Sequence, residues 1–189
     1  MTDLEKYINS YFGVEANDLA HISSLFKPQL LKKGDFYLKT GRLCEKLSFV
    51  KSGLLRIYAC TPDKEVTQWI STQGYFVTDL ASLIFDQPAR WTIQALTDVE
   101  IYTINKTDYN QLGKNISKWY LLEKLFIAKC FTILEDRIFS HLSMTAEERY
   151  NFFFQQNREL FNQVPLQYIA SMLGMTPETF SRIRRRAIS

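Results

Sequence analysis

Cysteine is scarce in this 189-residue chain: Cys44, Cys60 and Cys130 stand far apart and are odd in number. That excludes a disulfide framework and a thiolate metal cluster, and it fits a reducing cytoplasm. Histidine is scarcer, with His21 and His141 only, so His21 reads as a surface or packed side chain rather than a ligand. No apolar run approaches the ~20 residues of a membrane span. The opening Met1-Thr2-Asp3-Leu4-Glu5 lacks the basic start and apolar core of a signal peptide. There is no glycine-rich phosphate loop with its lysine, no zinc spacing and no nucleophile motif, so an enzyme has no catalytic or metal-binding residue to name. Internal repeats and low-complexity segments are missing too.

What is present suits one or two small domains with a packed core: 46% of the residues are hydrophobic and 14% aromatic. Thr2-Asp3-Leu4-Glu5 fits a capping box, and Leu4, Ile8 and Tyr11/Phe12 continue at helical spacing. A second helix is expected over about Ala16 to Leu25, ending before Pro28. From Leu30 to Ile104 short β-rich runs alternate with turn residues: Leu30–Lys33, Phe36–Lys39, Leu47–Lys51, Leu54–Ala59, Glu65–Ser71, Trp91–Leu96 and Val99–Ile104. Leu55/Ile57/Ala59 alternate with Arg56/Tyr58, and Val66/Gln68/Ile70 with Thr67/Trp69. Gly34, Gly41, Gly53 and Gly74 fall where turns are needed. The regular spacing predicts an antiparallel barrel or roll.

Between Asn115 and Leu142 the apolar density is helical and nearly all-round, uninterrupted by glycine or proline. One apolar stripe covers the roll. A second needs another partner, either the same helix of a twin subunit or more of its own subunit. Glu123 and Lys129 break each candidate heptad seam. Thr145-Ala146-Glu147-Glu148 is another capping box, opening a helix through about Gln156 whose Phe152, Phe153 and Phe154 are read as core. The connection Asn157–Gln163 leaves little room for an elaborate β wing.

The end of the chain reads as two short helices around a tight turn. Ile169, Ala170 and Leu173 form the apolar edge of the first, and Gly174 ends it. Thr176 caps the second, Pro177 opens it, and Phe180 and Ile183 form its buried edge. Glu178, Ser181, Arg182 and Arg185, at i, i+3, i+4 and i+7, share the outward face. Four of the 23 basic and one of the 20 acidic residues lie in 164–189, so this segment carries the chain's whole net charge of +3. A helix-turn-helix that enters a major groove needs those features.

Roll, long helix and helix-turn-helix, in this order, resemble the Crp/Fnr family of bacterial transcription regulators. The likeness runs through Leu31-x-x-Gly34-Asp35, the Gly41 turn, Phe49-Val50-Lys51-Ser52-Gly53, Gly74-x-Phe76 and Ala95. At the end it includes Ile169-Ala170-x-x-Leu173-Gly174-Met175-Thr176-Pro177-Glu178-Thr179-Phe180-Ser181-Arg182-Ile183. The short ending looks most like regulators from the Bacteroidetes. The resemblance implies an α+β fold: an antiparallel, jelly-roll-like cyclic-nucleotide-binding roll with N-terminal helices (1–114), a long linker and dimerisation helix (115–142), and a helix-turn-helix DNA-binding domain (143–189). The implied partners are double-stranded DNA, a second copy of the chain and RNA polymerase, without a membrane.

Family base-reading positions fall on Glu178, Ser181 and Arg182 within a recognition helix of about 177–186. Chemistry agrees, since a guanidinium pairs with guanine O6 and N7 and a carboxylate accepts from cytosine N4. Thr176 and Thr179 join the DNA-facing set, and Arg184, Arg185 and Arg186 are assigned to phosphates. Where some members carry an arginine at the start of this helix, Pro177 stands here.

For a ligand, the matching stretch gives Thr78, Asp79, Leu80, Arg90 and Trp91. Arg90 matches the family's phosphate arginine. Asp79 replaces a ribose-contacting glutamate, Thr78 a glycine and Trp91 a serine, and these departures argue against tight cyclic AMP binding. Asp79 and Arg90 are alternatively read as a pair that only holds the loop. No N-terminal cysteine cluster suits an iron–sulfur centre and two histidines give a haem little support, so no cofactor is expected. Two functions therefore stand: a sequence-specific DNA-binding homodimer, and a small-molecule sensor whose roll controls that binding.

Overall fold

Thr2 opens the first helix through a complete capping box: its Oγ1 accepts the Glu5 N–H and Glu5 Oε2 accepts the Thr2 N–H. The computed structural model describes residues 1–188; Ser189, the last residue of the expected terminal domain, lies outside them. In chain order come α1 (Asp3–Phe12), α2 (Ala16–Leu25), β1 (Lys27–Leu31), β2 (Phe36–Leu38), β3 (Lys46–Ser52), β4 (Leu55–Cys60), β5 (Glu65–Ser71) and β6 (Phe76–Val77). They are followed by α3 (Leu80–Phe85), β7 (Thr92–Ala95), β8 (Val99–Asn105), α4 (Lys106–Asn115), α5 (Trp119–Ser143), α6 (Ala146–Gln156), α7 (Leu160–Gln163), α8 (Leu166–Met172) and α9 (Pro177–Ile188).

The strands form two antiparallel four-stranded sheets, ordered β1-β8-β3-β6 and β2-β7-β4-β5. Their inner faces share one core, with Tyr37, Leu55, Ile57 and Ile93 from one sheet and Val50, Val77 and Ile101 from the other. This is the expected antiparallel roll in an α+β chain. The outer face of the first sheet is also buried, because Leu47, Phe49 and Ile104 pack under α1, α2, α4 and α5 in a second core. Within it the ring of Phe12 is stacked on Trp119 and Phe126. Burying such a ring contributes about 1.5–3 kcal/mol relative to exposure. A third core, built on Tyr150, Phe161 and Phe180, belongs to the C-terminal helices and takes in Leu54 and Ile70 of the roll. No helix among the described residues is long and apolar enough to cross a membrane.

Four local expectations differ from the structure. The first strand is Lys27–Leu31 rather than Leu30–Lys33. It is an edge strand, the place in a sheet that accepts a proline such as Pro28, and its mostly exposed side chains carry no alternation to read. The long helix begins at Trp119, and a separate helix, α4, precedes it. Ile116 is extended there (φ −119°, ψ 111°) and buried, so its insertion into the core separates the two helices.

In β5 the alternation breaks at Gln68: Trp69 pairs with Ile57 but Thr67 with Tyr58, leaving Gln68 as a bulge. Trp69 and Ser71 consequently face the roll interior with Ile57 and Leu55, while Thr67 and Ile70 face outward. Finally, Phe152 is exposed, and Tyr150 rather than the phenylalanine triplet centres the terminal core. A helix buries positions three and four apart, so three consecutive phenylalanines cannot all point inward.

Candidate functional site

The C-terminal helices build one exposed face. Gly174 adopts φ +69°, the left-handed conformation that lets the chain reverse after α8. The Met175 N–H closes onto the Ala170 carbonyl at 2.9 Å. Thr176 Oγ1 then accepts the Thr179 N–H at 3.2 Å, starting α9. With Phe180 and Ile183 buried against α6 and α8, the opposite side of α9 presents Glu178, Ser181, Arg182 and Arg185, all exposed. Thr176 and Arg186 are exposed as well, and Thr179 is half-buried. Arg184 is half-buried on the inner side, where its charge is felt by the buried Tyr150 hydroxyl. Hydrogen bonds from its own N–H and from the Thr176 hydroxyl hold the Glu178 carboxyl below the usual carboxylate range.

This unit sits on the outer face of β4 and β5 through α8, so α9 keeps its polar side open. The Thr67 N–H donates to Ser171 Oγ at 2.9 Å. Arg56, buried, donates to Glu65 and Thr67 and stacks beneath Tyr168. Arg137 of α5 donates to the Gln68 carbonyl and, at 3.0 Å, to the Met172 carbonyl, joining α5, β5 and the end of α8.

Helix α5 has two apolar sides. Trp119, Leu122 and Phe126 are buried against the roll. On the other side Ile127, Phe131, Leu134 and Ile138, spaced 4, 3 and 4 residues apart, are exposed, as are Leu121, Leu125, Phe139 and Leu142. The charges that obscured a heptad turn to the subunit's own helices instead: Glu123 accepts the Tyr109 hydroxyl of α4 at 2.6 Å, and Lys129 donates to the Ser10 carbonyl of α1. The register of 127, 131, 134 and 138 therefore contains no charge.

Between β5, α3 and α5 lies a cavity of about 280 Å³. Thr78, Asp79, Leu80 and Trp91 of the expected ligand set line it; Arg90 does not. Asp79 is buried and saturated. Its Oδ1 caps α3 at the Ser82 N–H, and its Oδ2 accepts the N–H groups of Arg90 (3.0 Å) and Trp91 (3.3 Å). Asp79 thus holds the loop through backbone groups rather than through the Arg90 guanidinium. That guanidinium stacks at 5.0 Å over the Trp91 ring. Thr78 Oγ1 donates to the Lys46 carbonyl. Asp79 therefore has its acceptors engaged by backbone rather than free for a ribose, and Arg90, the cation of the set, lies outside the cavity wall. The rest of the wall includes Ser71, Trp69, Ile133, Leu134 and Arg137. Sequence reasoning missed Ser71 and Arg137. In sequence Arg137 follows Glu135 and Asp136, so it reads as part of a charged run rather than as a cation without a partner.

Residues 28–115 match the model of the cyclic nucleotide-binding domain family. No curated protein matches the sequence. Three solved structures are similar in fold. The catabolite activator protein of Thermus thermophilus aligns over 95% of this chain and 85% of its own, with 20% identity and a TM-score of 0.59. FixK2 of Bradyrhizobium japonicum aligns over 85% and 83%, with 18% identity and a TM-score of 0.70. The N-terminal domain of a transcriptional regulator from Streptomyces coelicolor aligns over 71% and 93%, with 18% identity and a TM-score of 0.58. At these identities the likeness establishes the fold, a cyclic-nucleotide-binding roll followed by helices.

Proposed function

We propose that this chain is a sequence-specific DNA-binding transcriptional regulator acting as a homodimer. The observation that carries the reading is the joint exposure of Glu178, Ser181, Arg182 and Arg185 on α9 while Phe180 and Ile183 anchor the opposite side. In a major groove Arg182 donates two bonds to guanine and Glu178 accepts from cytosine, with Ser181 and Thr179 beside them. Arg185, Arg186 and the capped start at Thr176 contact phosphates, which position the helix without specifying sequence. Arg184 supports the helix from beside Tyr150 and reaches phosphate from its flank.

The second copy joins along Ile127, Phe131, Leu134 and Ile138, whose exposure gives it an apolar seam to cover. Two α9 helices then read half-sites ~34 Å apart on a near-palindromic operator. The proposal includes a division into a roll (1–114), a connecting dimer helix (115–142) and a reading domain (143–189), together with a cytoplasmic location and contact with RNA polymerase. Selection of bound fragments from genomic DNA, with sedimentation of the protein alone and on the selected site, tests it. A two-fold-symmetric motif bound by a dimer supports the reading; flat sequence preference or a monomer on DNA overturns it.

A second reading, a small-molecule sensor, is favoured by the cavity, since Arg137 belongs both to its wall and to the contact with α8.

A further inference from the structure

Two polar groups in the cavity wall lack the partners that their burial calls for. Ser71 is 1% exposed, and its Oγ has no hydrogen-bond partner among the described residues. It shares the inner face of β5 with Trp69, which also lines the cavity. A buried hydroxyl left unpaired is unfavourable, and a ligand that pairs with it recovers that loss.

Arg137 enters from α5 with its guanidinium 5.5 Å from the centre of the Trp69 ring. Two carbonyls take two of its five N–H groups. Among the described residues no carboxylate pairs with it. Desolvation lowers its pKa, as expected of a cation without a counter-ion. Asp79, the other charge in the wall, is engaged by three backbone N–H groups. Burial pushes Tyr11 up to about 12 and Cys130 up to about 11, so both stay neutral near pH 7. The wall is otherwise largely apolar and aromatic, with Trp69, Trp91, Ile133 and Leu134 around the space.

We infer that this cavity binds a small amphipathic monocarboxylate, its carboxylate on Arg137 with the Ser71 hydroxyl as a second donor and its apolar or aromatic body between the two tryptophans and α5. A planar carboxylate matches the guanidinium fork, and the apolar wall strengthens the pairing by excluding water. The volume of about 280 Å³ is at the small end of ligand pockets and suits a compact acid. The inference rests on the sensor reading and names its ligand class. It does not depend on DNA binding.

Calorimetric titration of the full chain, without DNA, compares 3-phenylpropionate, 3-phenylpropionamide and cyclic AMP. The acid is expected to bind on the order of tenfold more tightly than the amide, which lacks the charge, and than cyclic AMP. Arg137→Gln removes the preference for acid over amide. Ser71→Ala deletes only the unpartnered hydroxyl; it weakens the acid severalfold while the melting temperature holds or rises, which keeps the test valid if Arg137→Gln fails to fold. Equal binding of acid and amide overturns the inference. Tighter binding of cyclic AMP also overturns it but leaves the sensor reading standing, whereas no binding by any of the three compounds counts against both.

Discussion

The guanidinium carbon of Arg56 lies 3.6 Å from the centre of the Tyr168 ring, joining a strand of the roll to the first helix of the terminal pair. The same side chain lies over Tyr58, donates to Thr67 Oγ1 at 2.9 Å and pairs with Glu65 at 2.6 Å. One buried cation thus connects β4, β5 and α8. Glu65 is half-exposed and rehydrates when its partner is lost, so Arg56→Ala should cost about 2–3 kcal/mol, less than a fully buried pair would. Urea unfolding measures the loss. A change within about 0.5 kcal/mol would show that this contact holds nothing together.

Gly53 combines φ +87° with a close approach that no side chain survives: an added Cβ would stand 2.3 Å from the Asp98 carbonyl oxygen. The two nearest atoms, the Asp98 oxygen and Val99 Cα at 2.9 Å, are backbone, so neither can move aside. Gly53→Ala should destabilise the roll by at least about 2 kcal/mol, read as a drop in thermal midpoint. At Gly174, where the His141 ring is 3.4 Å away, the same substitution meets mainly the conformational cost of about 1 kcal/mol.

Phe131 and Ile138, on either side of Leu134 in the uncharged seam of α5, are 60% and 59% exposed. Placing glutamate at either one should leave the monomer's circular dichroism intact, because neither side chain is buried in the subunit. Sedimentation should then show a monomer and a large loss of operator affinity. Dimers that persist in Phe131→Glu and Ile138→Glu would move the interface elsewhere.

Arg182→Ala should cost about 1–3 kcal/mol of binding and relax discrimination at one base pair per half-site, whereas Arg185→Ala should weaken all sequences alike and reduce the salt slope by about one. Titrations on operator and mutant duplexes at several salt concentrations separate the two effects. Identical behaviour of both variants would remove the distinction between base reading and phosphate contact.

The Glu178 carboxyl, held low by hydrogen bonds at the start of α9, stays ionised as pH falls through the ordinary glutamate range. Any stabilisation from this depressed pKa is present above the unfolded value and disappears only as pH drops through the lower folded one. Base preference at the position facing Glu178 should therefore be the same at pH 7.5 and pH 5.5, and Glu178→Gln should alter it at both. Fragment selection at the two pH values makes the comparison.

Sequence alone determined the elements whose causes are local. Both capping boxes, the Gly174 reversal and the inward Phe180 and Ile183 follow from residues within one or two turns of each other, and most strand runs follow from side-chain alternation. Only the tertiary structure decided matters that depend on distant partners. The bulge at Gln68 sends Trp69 and Ser71 inward, burial of Ile116 separates α4 from α5, and Tyr109 and Ser10 draw Glu123 and Lys129 off the outer seam. Asp79 looks the same in sequence whether it is free for a sugar or bound to the backbone of Arg90 and Trp91, because the chain that returns to meet it lies eleven residues on. Arg137 likewise shows its lack of a counter-ion only when α5, β5 and α8 come together, since charge balance in a cavity is a property of the whole wall.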